Sequence, residues 1–467
     1  MISSASPLEQ FKEFLLDKLL FGQRPSPELI AILAVYFVQG ILGLSRLAVS
    51  FFLKDALSLS PAEVAALVGI ATLPWVIKPL FGFLSDGVPL FNYRRRPYLI
   101  LSGLLGAIAW LCLATLAHSV WSVTLALLGT SLSVAISDVI ADSIVVERIR
   151  GQSLGTAGAL QSLAWSTAAL GGLITAYLGG WLLQLTSPQT LFSITACFPL
   201  LVAAAAGLVA EEPVSTSTRN QTPRLRHQLK TLWSAVRQKS IWLPTVFIFL
   251  WQATPTCDSA LFFFSTNELG FKSEFLGRVQ LVTSLASLVG IWLYQRFFKD
   301  VSFRHILGWS TVLASALGMT TLLLVTHANR AIGIDDHWFS LGDSLILTMM
   351  GQIAFMPVLV LSARLCPEGV EATLFALLMS AWNLAGLLSH ELGALLTGWL
   401  QVTQTNFDNL WLLVVLTNLS TLLPLPFLRF LPGKDSEYSE ETTRIQKDTV
   451  LILEPLSGQD PALSLKS

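Results

Sequence analysis

Asp138 and Asp142 pose the first chemical question. They stand four residues apart in the apolar run "SDVIADSIVVE", residues 137–147. On a helix that spacing puts both carboxylates on one face, which Ser131 and Ala135 continue. Two acids this close in a low dielectric repel each other, and sharing a proton relieves the repulsion, as in a proton carrier. The alternative is a structural ion pair with Lys78 or Arg46. A charged side chain at mid-bilayer costs at least ~2.5–3.5 kcal/mol, so it faces a cavity or a partner. Arg46 and Asp258 are in the same position. Gln39, Gly43, Arg46 and Ser50 make one helical stripe, and Gln161, Gln252, Gln352, Trp165, Trp251 and Phe355 add amides and rings. For each amide or ring, helix packing competes with a binding role. Asn383, Gly386, His390, Gly393 and Thr397 form a further stripe flanked by Glu391; it reads as a hydrogen-bonded seam or as a proton or substrate contact. Pro255 and Pro357 can break helices and free carbonyls there.

A second cluster lies in "KPLFGFLSDGVPLFNYRRRPYLI", from Lys78 to Ile100. Gly82 permits close helix approach. Asp86 can pair with an arginine or cap a helix. Arg94, Arg95 and Arg96 follow, and Glu147, Arg148 and Arg150 supply partners of both signs. Such a group can lock one end of a membrane protein and release it; the alternative is that the arginines only mark a cytoplasmic loop. The matching stretch "FFKDVSFRHI" has Lys299 where Asp86 would be, so the lock is asymmetric.

The elements that hold these residues follow from composition. The 467 residues are 53% hydrophobic and 13% charged, with mean hydropathy +0.63. About 25% charge is usual for a soluble domain; this chain reads as a polytopic membrane protein. Its net charge of −1 gives no footing for nucleic acid. Cys112, Cys197, Cys257 and Cys366 stand singly, with no metal or disulfide spacing, and the 14 tryptophans suit many membrane interfaces. No cofactor is expected. Spans of roughly 20 apolar residues are predicted at 29–54, 62–84, 97–117, 121–146, 153–183, 188–210, 241–266, 274–298, 305–326, 341–365, 371–400 and 409–431. Residues 1–28 form an N-terminal segment without a transit-peptide pattern, carrying an amphipathic helix over Phe11 to Gly22. The first six spans make a bundle over 29–210, and the polar stretch 211–240 links it to a second bundle over 241–431. The polar tail 432–467 is expected to be disordered. With both termini cytoplasmic, 23 of the 29 lysines and arginines fall on that side, which fixes the predicted orientation.

The halves also align with each other. "YFVQG" (36–40) matches "FLWQA" (249–253), setting Gln39 against Gln252; farther on, Phe52 matches Phe264 and Leu57 matches Leu269. Twelve spans in two parallel six-helix repeats is the all-α fold of the major facilitator superfamily.

"YFVQG", "KPLFGFLSD", "YRRRPYLILSG" and "SDVIADSIVVE" together resemble the folate–biopterin transporter family, a branch of that superfamily with cyanobacterial and plastid members. The resemblance implies a secondary transporter that moves folates or pterins by proton-coupled alternating access, with no enzymatic activity. It implies a multi-pass membrane protein, expected as a monomer with protons and lipid as its other partners; plasma membrane and plastid envelope both fit the family, and the missing transit-peptide pattern favours a bacterial plasma membrane. In the superfamily, spans 1, 4, 7 and 10 line the cavity; Arg46, Asp138, Asp142 and Asp258 lie on three of them. The 2-amino-4-oxo edge of a pterin presents adjacent N–H donors to a carboxylate, its ring stacks on aromatics, and the glutamate tail of folate wants a cation such as Arg46. Proton-coupled sugar symporters share an Asp followed by "RRRP" and remain the alternative. An intramembrane enzyme or sensor has no nucleotide loop, metal-ligand pair or soluble domain to support it.

Overall fold

The computed structural model describes residues 23–149, 154–213, 237–298, 301–364 and 371–431. The predicted amphipathic helix, most of the 211–240 linker, the tail after Pro432, Lys299, Arg150 and Cys366 lie outside the described residues. The described residues are helical, apart from loops and one isolated bridge between Leu90 and Tyr93.

The first half has α1 (Pro27–Ala56), α2 (Pro61–Gly87), α3 (Arg96–Thr115), α4 (Val120–Ile149), α5 (Leu154–Leu185) and α6 (Pro188–Leu208). The second has α7 in two pieces (Lys239–Gln252 and Asp258–Phe263), then α8 (Ser273–Phe298), α9 (Phe303–Val325), α10 (Asp336–Arg364), α11 (Glu371–Trp399) and α12 (Leu410–Arg429). Ten described helices are long and apolar enough to cross a membrane. The predicted twelve therefore do not all appear by length and apolarity. The break shortens the pieces of α7, and α11 is not among the ten.

Local sequence explains the main joints. Ser60 and Glu63 form a reciprocal capping box at the start of α2, with Pro61 in the first turn. Pro79 has no N–H, so the Trp75 carbonyl one turn earlier loses its helical donor. The Asn383 side chain of α11 takes that carbonyl at 3.1 Å. Pro255 does the same to Trp251, whose carbonyl accepts the Thr254 hydroxyl at 3.2 Å, and α7 opens between Gln252 and Asp258. Pro357 is carried within α10 without a break.

The first helix of each half repeats one design. α1 is interrupted by a 3₁₀ turn at Leu42–Ser45, α7 by its break, and each ends in a π turn, Phe52–Ala56 and Phe264–Glu268. The pairing of Gln39 with Gln252 and that of Phe52 with Phe264 differ by one position; the break in α7 takes up the difference.

Lipid tails give helices no hydrophobic reason to associate, so small residues and close packing hold the bundle. A Cβ built on Gly40 of α1 would lie 2.0 Å from the Ala168 carbonyl oxygen of α5. Between the halves, a Cβ on Gly180 of α5 would lie 2.3 Å from the Ser273 carbonyl oxygen of α8. At the same end Lys54 donates to Asn267 at 2.9 Å, Asn267 donates to the Gln404 carbonyl at 2.9 Å, and Gln404 donates to the carbonyls of Ser58 and Leu59. Phe51 and Phe262 meet edge-to-face at 5.3 Å. The halves are thus zipped together at the end that carries Ser60.

Gly40 and Gly172 face the same α1–α5 contact with opposite consequences. A Cβ on Gly172 meets nothing within 4 Å, so Gly172→Ala should leave stability unchanged or raise it by up to about 1 kcal/mol, the ordinary helix preference for alanine. Gly40→Ala must push two backbones apart and should cost on the order of 1–3 kcal/mol. Melting of the two purified variants against the unchanged protein checks this; an unaltered melting temperature for Gly40→Ala would contradict the packing account.

Candidate functional site

Two residues of α1 face two of α4 like the rungs of a ladder. Gln39 donates to Asp138 Oδ1 at 3.0 Å, and Tyr36, one turn away, donates its hydroxyl to Asp142 Oδ1. The other Asp138 oxygen is held by Lys78 of α2. Lys78 also lies over the Trp75 ring, 4.2 Å from its centroid, the Trp75 whose carbonyl Asn383 holds. One connected polar group therefore joins α1, α2, α4 and, across the halves, α11. Asp138 is buried, whereas Asp142 is exposed. An exposed carboxylate inside a span is stable where water reaches it, so this side of the ladder faces a wet crevice. The arrangement can swap partners on Asp138.

The arginine loop is a second group. Phe91 and Asn92 have φ of 50° and 66°, and Leu90 and Tyr93 exchange backbone hydrogen bonds at 2.9 Å. This tight turn brings the arginines back beside α2. Arg95 is at the centre: it bonds Glu147 of α4 at 2.7 Å, Asp86 at 2.7 Å and the Ser85 hydroxyl at 2.8 Å. Burial alone would lower the Arg95 pKa; its bonds to Glu147 and Asp86 outweigh that and raise it. The carboxylate of Glu211 accepts the backbone N–H groups of Arg94, Arg95 and Arg96 at 2.5–3.1 Å and so caps the start of α3. Arg96 Nε donates to the Val209 carbonyl at 2.6 Å.

Several expected roles change. Lys78, grouped with the loop from sequence, belongs to the ladder. Arg46 pairs with neither Asp138 nor Asp142: the 3₁₀ turn breaks the stripe from Gln39, and among the described residues the exposed Arg46 guanidinium has no partner. The Gly82 Cβ position meets a Val139 methyl at an ordinary 3.7 Å, so no close approach depends on it. Asp86 pairs with Arg95 and leaves the helix cap to Glu211. The Arg94 guanidinium has no partner among the described residues. Arg148 joins Ser26 at 2.7 Å and Glu28 at 3.2 Å, tying α4 to the start of α1 rather than to the arginines. Trp165 is exposed on α5; Gln352 packs against Gly290 of α8, and Glu391 against Gly69 of α2. The Gln161 side chain lies outside the described residues.

Gln252 and Asp258 flank the break in α7 and line a cavity of about 390 Å³ inside the second half. Trp251, also on its wall, donates its Nε1–H to Thr311 at 2.9 Å and stands 6.0 Å from the Trp382 ring.

Sequence reasoning missed four residues. Tyr36 was within reach, since it lies three positions before Gln39 in a motif already singled out. Asp343 was too, as an acid inside a predicted span; it accepts from Thr320 and Thr321 at 2.5 and 2.9 Å. Glu211 carries no local signal, because its partners lie on a distant segment; Trp75 lies three positions before Lys78, a spacing that could have suggested the ring contact, but the Asn383 that takes its carbonyl is distant.

The comparisons with known proteins bear on the family and the fold. A family model described as the BT1 family matches residues 39–450. The folate-biopterin transporter of Synechocystis is 63% identical over 433 residues, covering 93% of this chain and 87% of that protein. Folate transporter 1 of Plasmodium falciparum is 32% identical, covering 88% of this chain and 81% of its own. Among solved structures, the nucleoside transporter NupG aligns with a TM-score of 0.66 at 14% identity, over 87% of this chain and all of that one. A D-xylose–proton symporter aligns at 0.63 and 14%, over 87% and 97%. These two carry the fold alone, that of the major facilitator transporters. By the family match and the two relatives, this multi-pass membrane protein is a transporter belonging to the BT1 family.

Proposed function

We propose that this chain carries folates and pterins across a bacterial plasma membrane by proton-coupled alternating access, as a monomer with both termini cytoplasmic. The names of the relatives, folate-biopterin transporter and folate transporter, support the substrate class. The observation that carries the mechanism is the ladder. A lysine and two carboxylates share one polar group whose members sit on four helices, so protonating Asp138 releases Lys78 and alters contacts in both halves. In the proposed orientation the zipped end is external and the crevice at Asp142 opens inward. Arg46, without a partner among the described residues, is the cation for the glutamate tail. Reconstitution into vesicles tests the whole reading: labelled folate or biopterin should accumulate under an imposed inward proton gradient. Accumulation of labelled sucrose in its place would overturn it in favour of a sugar symporter.

Asp138→Asn strands Lys78 and should lower stability by about 3–5 kcal/mol, the cost of breaking a buried pair. Removing both charges, Asp138→Asn with Lys78→Gln, should restore folded protein while gradient-driven accumulation stays lost. Restored accumulation in the double variant would show the pair to be structural.

Asp86 is 58% exposed and shares Arg95 with Glu147. Asp86→Asn should therefore slow initial uptake with membrane abundance nearly normal, because it biases a conformation rather than the fold. Equal initial rates at equal abundance would remove Asp86 from the gate.

Arg46→Gln strands no carboxylate. It should weaken folate by roughly ten- to a hundredfold, the worth of one charge-assisted contact of about 1.5–3 kcal/mol. Biopterin, which has no glutamate tail, should be nearly unaffected; equal losses for both ligands would refute the assignment.

A further inference from the structure

The intramembrane carboxylates differ in what they have left to offer a ligand. Asp138 is held by Lys78 and Gln39, Asp142 by Tyr36, and Asp343 by two threonines. Glu391 has a buried oxygen without a hydrogen bond, but it is packed against Gly69 with no room beside it. Asp258 is different. Its backbone N–H is satisfied by Thr256 at 3.3 Å. Among the described residues its carboxylate makes no hydrogen bond or ion pair, and it is exposed on the wall of the 390 Å³ cavity. Gln252, on the same wall, also has a side-chain amide that makes no hydrogen bond among the described residues.

The cavity is built around a flat surface. Trp251 is fixed by its bond to Thr311 and backed by Trp382, which Phe355 supports in turn at 5.1 Å. The break is held from α11: Ser389 donates to the Thr254 carbonyl at 2.5 Å, and Thr256 donates its N–H back to the Ser389 carbonyl at 3.4 Å. A Cβ on Gly393 would lie 2.1 Å from the Thr256 carbonyl oxygen, so the wall leaves the loop no slack. Ligand pockets run from about 300 to 1,000 Å³. This one, at the small end, suits a bicyclic ring and leaves no room inside for a long tail attached to it.

We propose that the cavity at the break of α7 is the subsite for the 2-amino-4-oxopteridine ring, with Asp258 accepting its 2-amino and N3 hydrogens, Gln252 beside it as the amide partner and Trp251 as the stacking wall. This deepens the folate and pterin reading and rests on it. It divides labour between the halves: the first half holds the charges that change partners, and the second holds the ring. The tail of a folate remains outside the cavity.

The test exploits hydrogen-bond polarity. Asp258 presents two acceptors, matching the two adjacent donors of a pterin. Lumazine has an oxo group where pterin has the 2-amino group, so it presents an acceptor beside a donor. Asp258→Asn presents a donor beside an acceptor and matches lumazine. Binding of pterin, lumazine and folate to the purified full-length protein is measured by calorimetry, for the unchanged chain and for Asp258→Asn. The unchanged protein should prefer pterin over lumazine by at least tenfold, and the variant should reverse that order. The melting temperature should stay within a few degrees, because Asp258 has no protein partner to lose. A variant that binds pterin as before, or loses both ring ligands alike, overturns the subsite while the transport reading stands; a large fall in melting temperature overturns it too, by marking Asp258 as structural. If the unchanged protein binds neither pterin nor folate, the substrate reading falls and the subsite falls with it.

Discussion

A lysine and an aspartate inside a membrane constrain everything packed around them. Neither Lys78 nor Asp138 could be held charged at that depth without the other, because the cost of an isolated charge there is several kcal/mol. Their pairing fixes α2 against α4. The spare Asp138 oxygen then needs a donor, which Gln39 supplies from α1. Trp75 places its ring under the Lys78 ammonium, and Pro79, next to Lys78, frees the Trp75 carbonyl for Asn383 on the other half. One ion pair thus determines how four helices meet. A neutral pair of the same shape would hold those helices as well, but could not be switched by a proton.

The two halves use one plan for different ends. Each first helix is interrupted midway and closes on a π turn. In α1 the interruption is a mild 3₁₀ turn that still buries Leu44 and Ser45. In α7 a proline opens the backbone fully and leaves a cavity beside it. Gln39 and Gln252 occupy equivalent positions, yet Gln39 is bound to Asp138, while Gln252 lines the cavity and makes no side-chain hydrogen bond among the described residues. The two repeats share a plan but differ in content: the first places charged side chains beside its interruption, the second a cavity.

The fold was legible in sequence because its signals are long. Apolar runs near 20 residues, the arginine bias and the repeat each average over many positions, and so does the family resemblance carried by four motifs. The ladder was half legible: the spacing of Asp138 and Asp142 announced a shared face, and Lys78 stood among their weighed partners. The stripe from Gln39 to Arg46 failed because helical periodicity assumes an unbroken helix, and the turn at Leu42–Ser45 shifts the phase. Glu211 was invisible for another reason. It acts through backbone N–H groups of a segment more than a hundred positions away, and backbone donors leave no trace in side-chain pattern. The same holds for Asn383, whose acceptor exists because a proline elsewhere removed a donor.

The ladder and the arginine loop share their supports. Lys78 and Asp86 belong to the same piece of α2, two turns apart; Asp138, Asp142 and Glu147 belong to α4. At 1.5 Å per residue, Asp138 and Glu147 are about 13 Å apart along the axis. Arg95 clamps the ends of those two helices, and Lys78 clamps them at depth. Two clamps on one pair of stiff rods are not independent: a change of angle that opens one must load or unload the other. Loss of the Lys78–Asp138 attraction on protonation would leave Arg95 as the remaining charged tie between α2 and α4 among the described residues. Since Glu211 caps the helix that begins at Arg96, the same movement is felt where the chain departs toward the second half. On the proposed mechanism, proton binding at depth and closure at the surface would be one mechanical event, carried by the stiffness of two helices rather than by any relay of contacts between them.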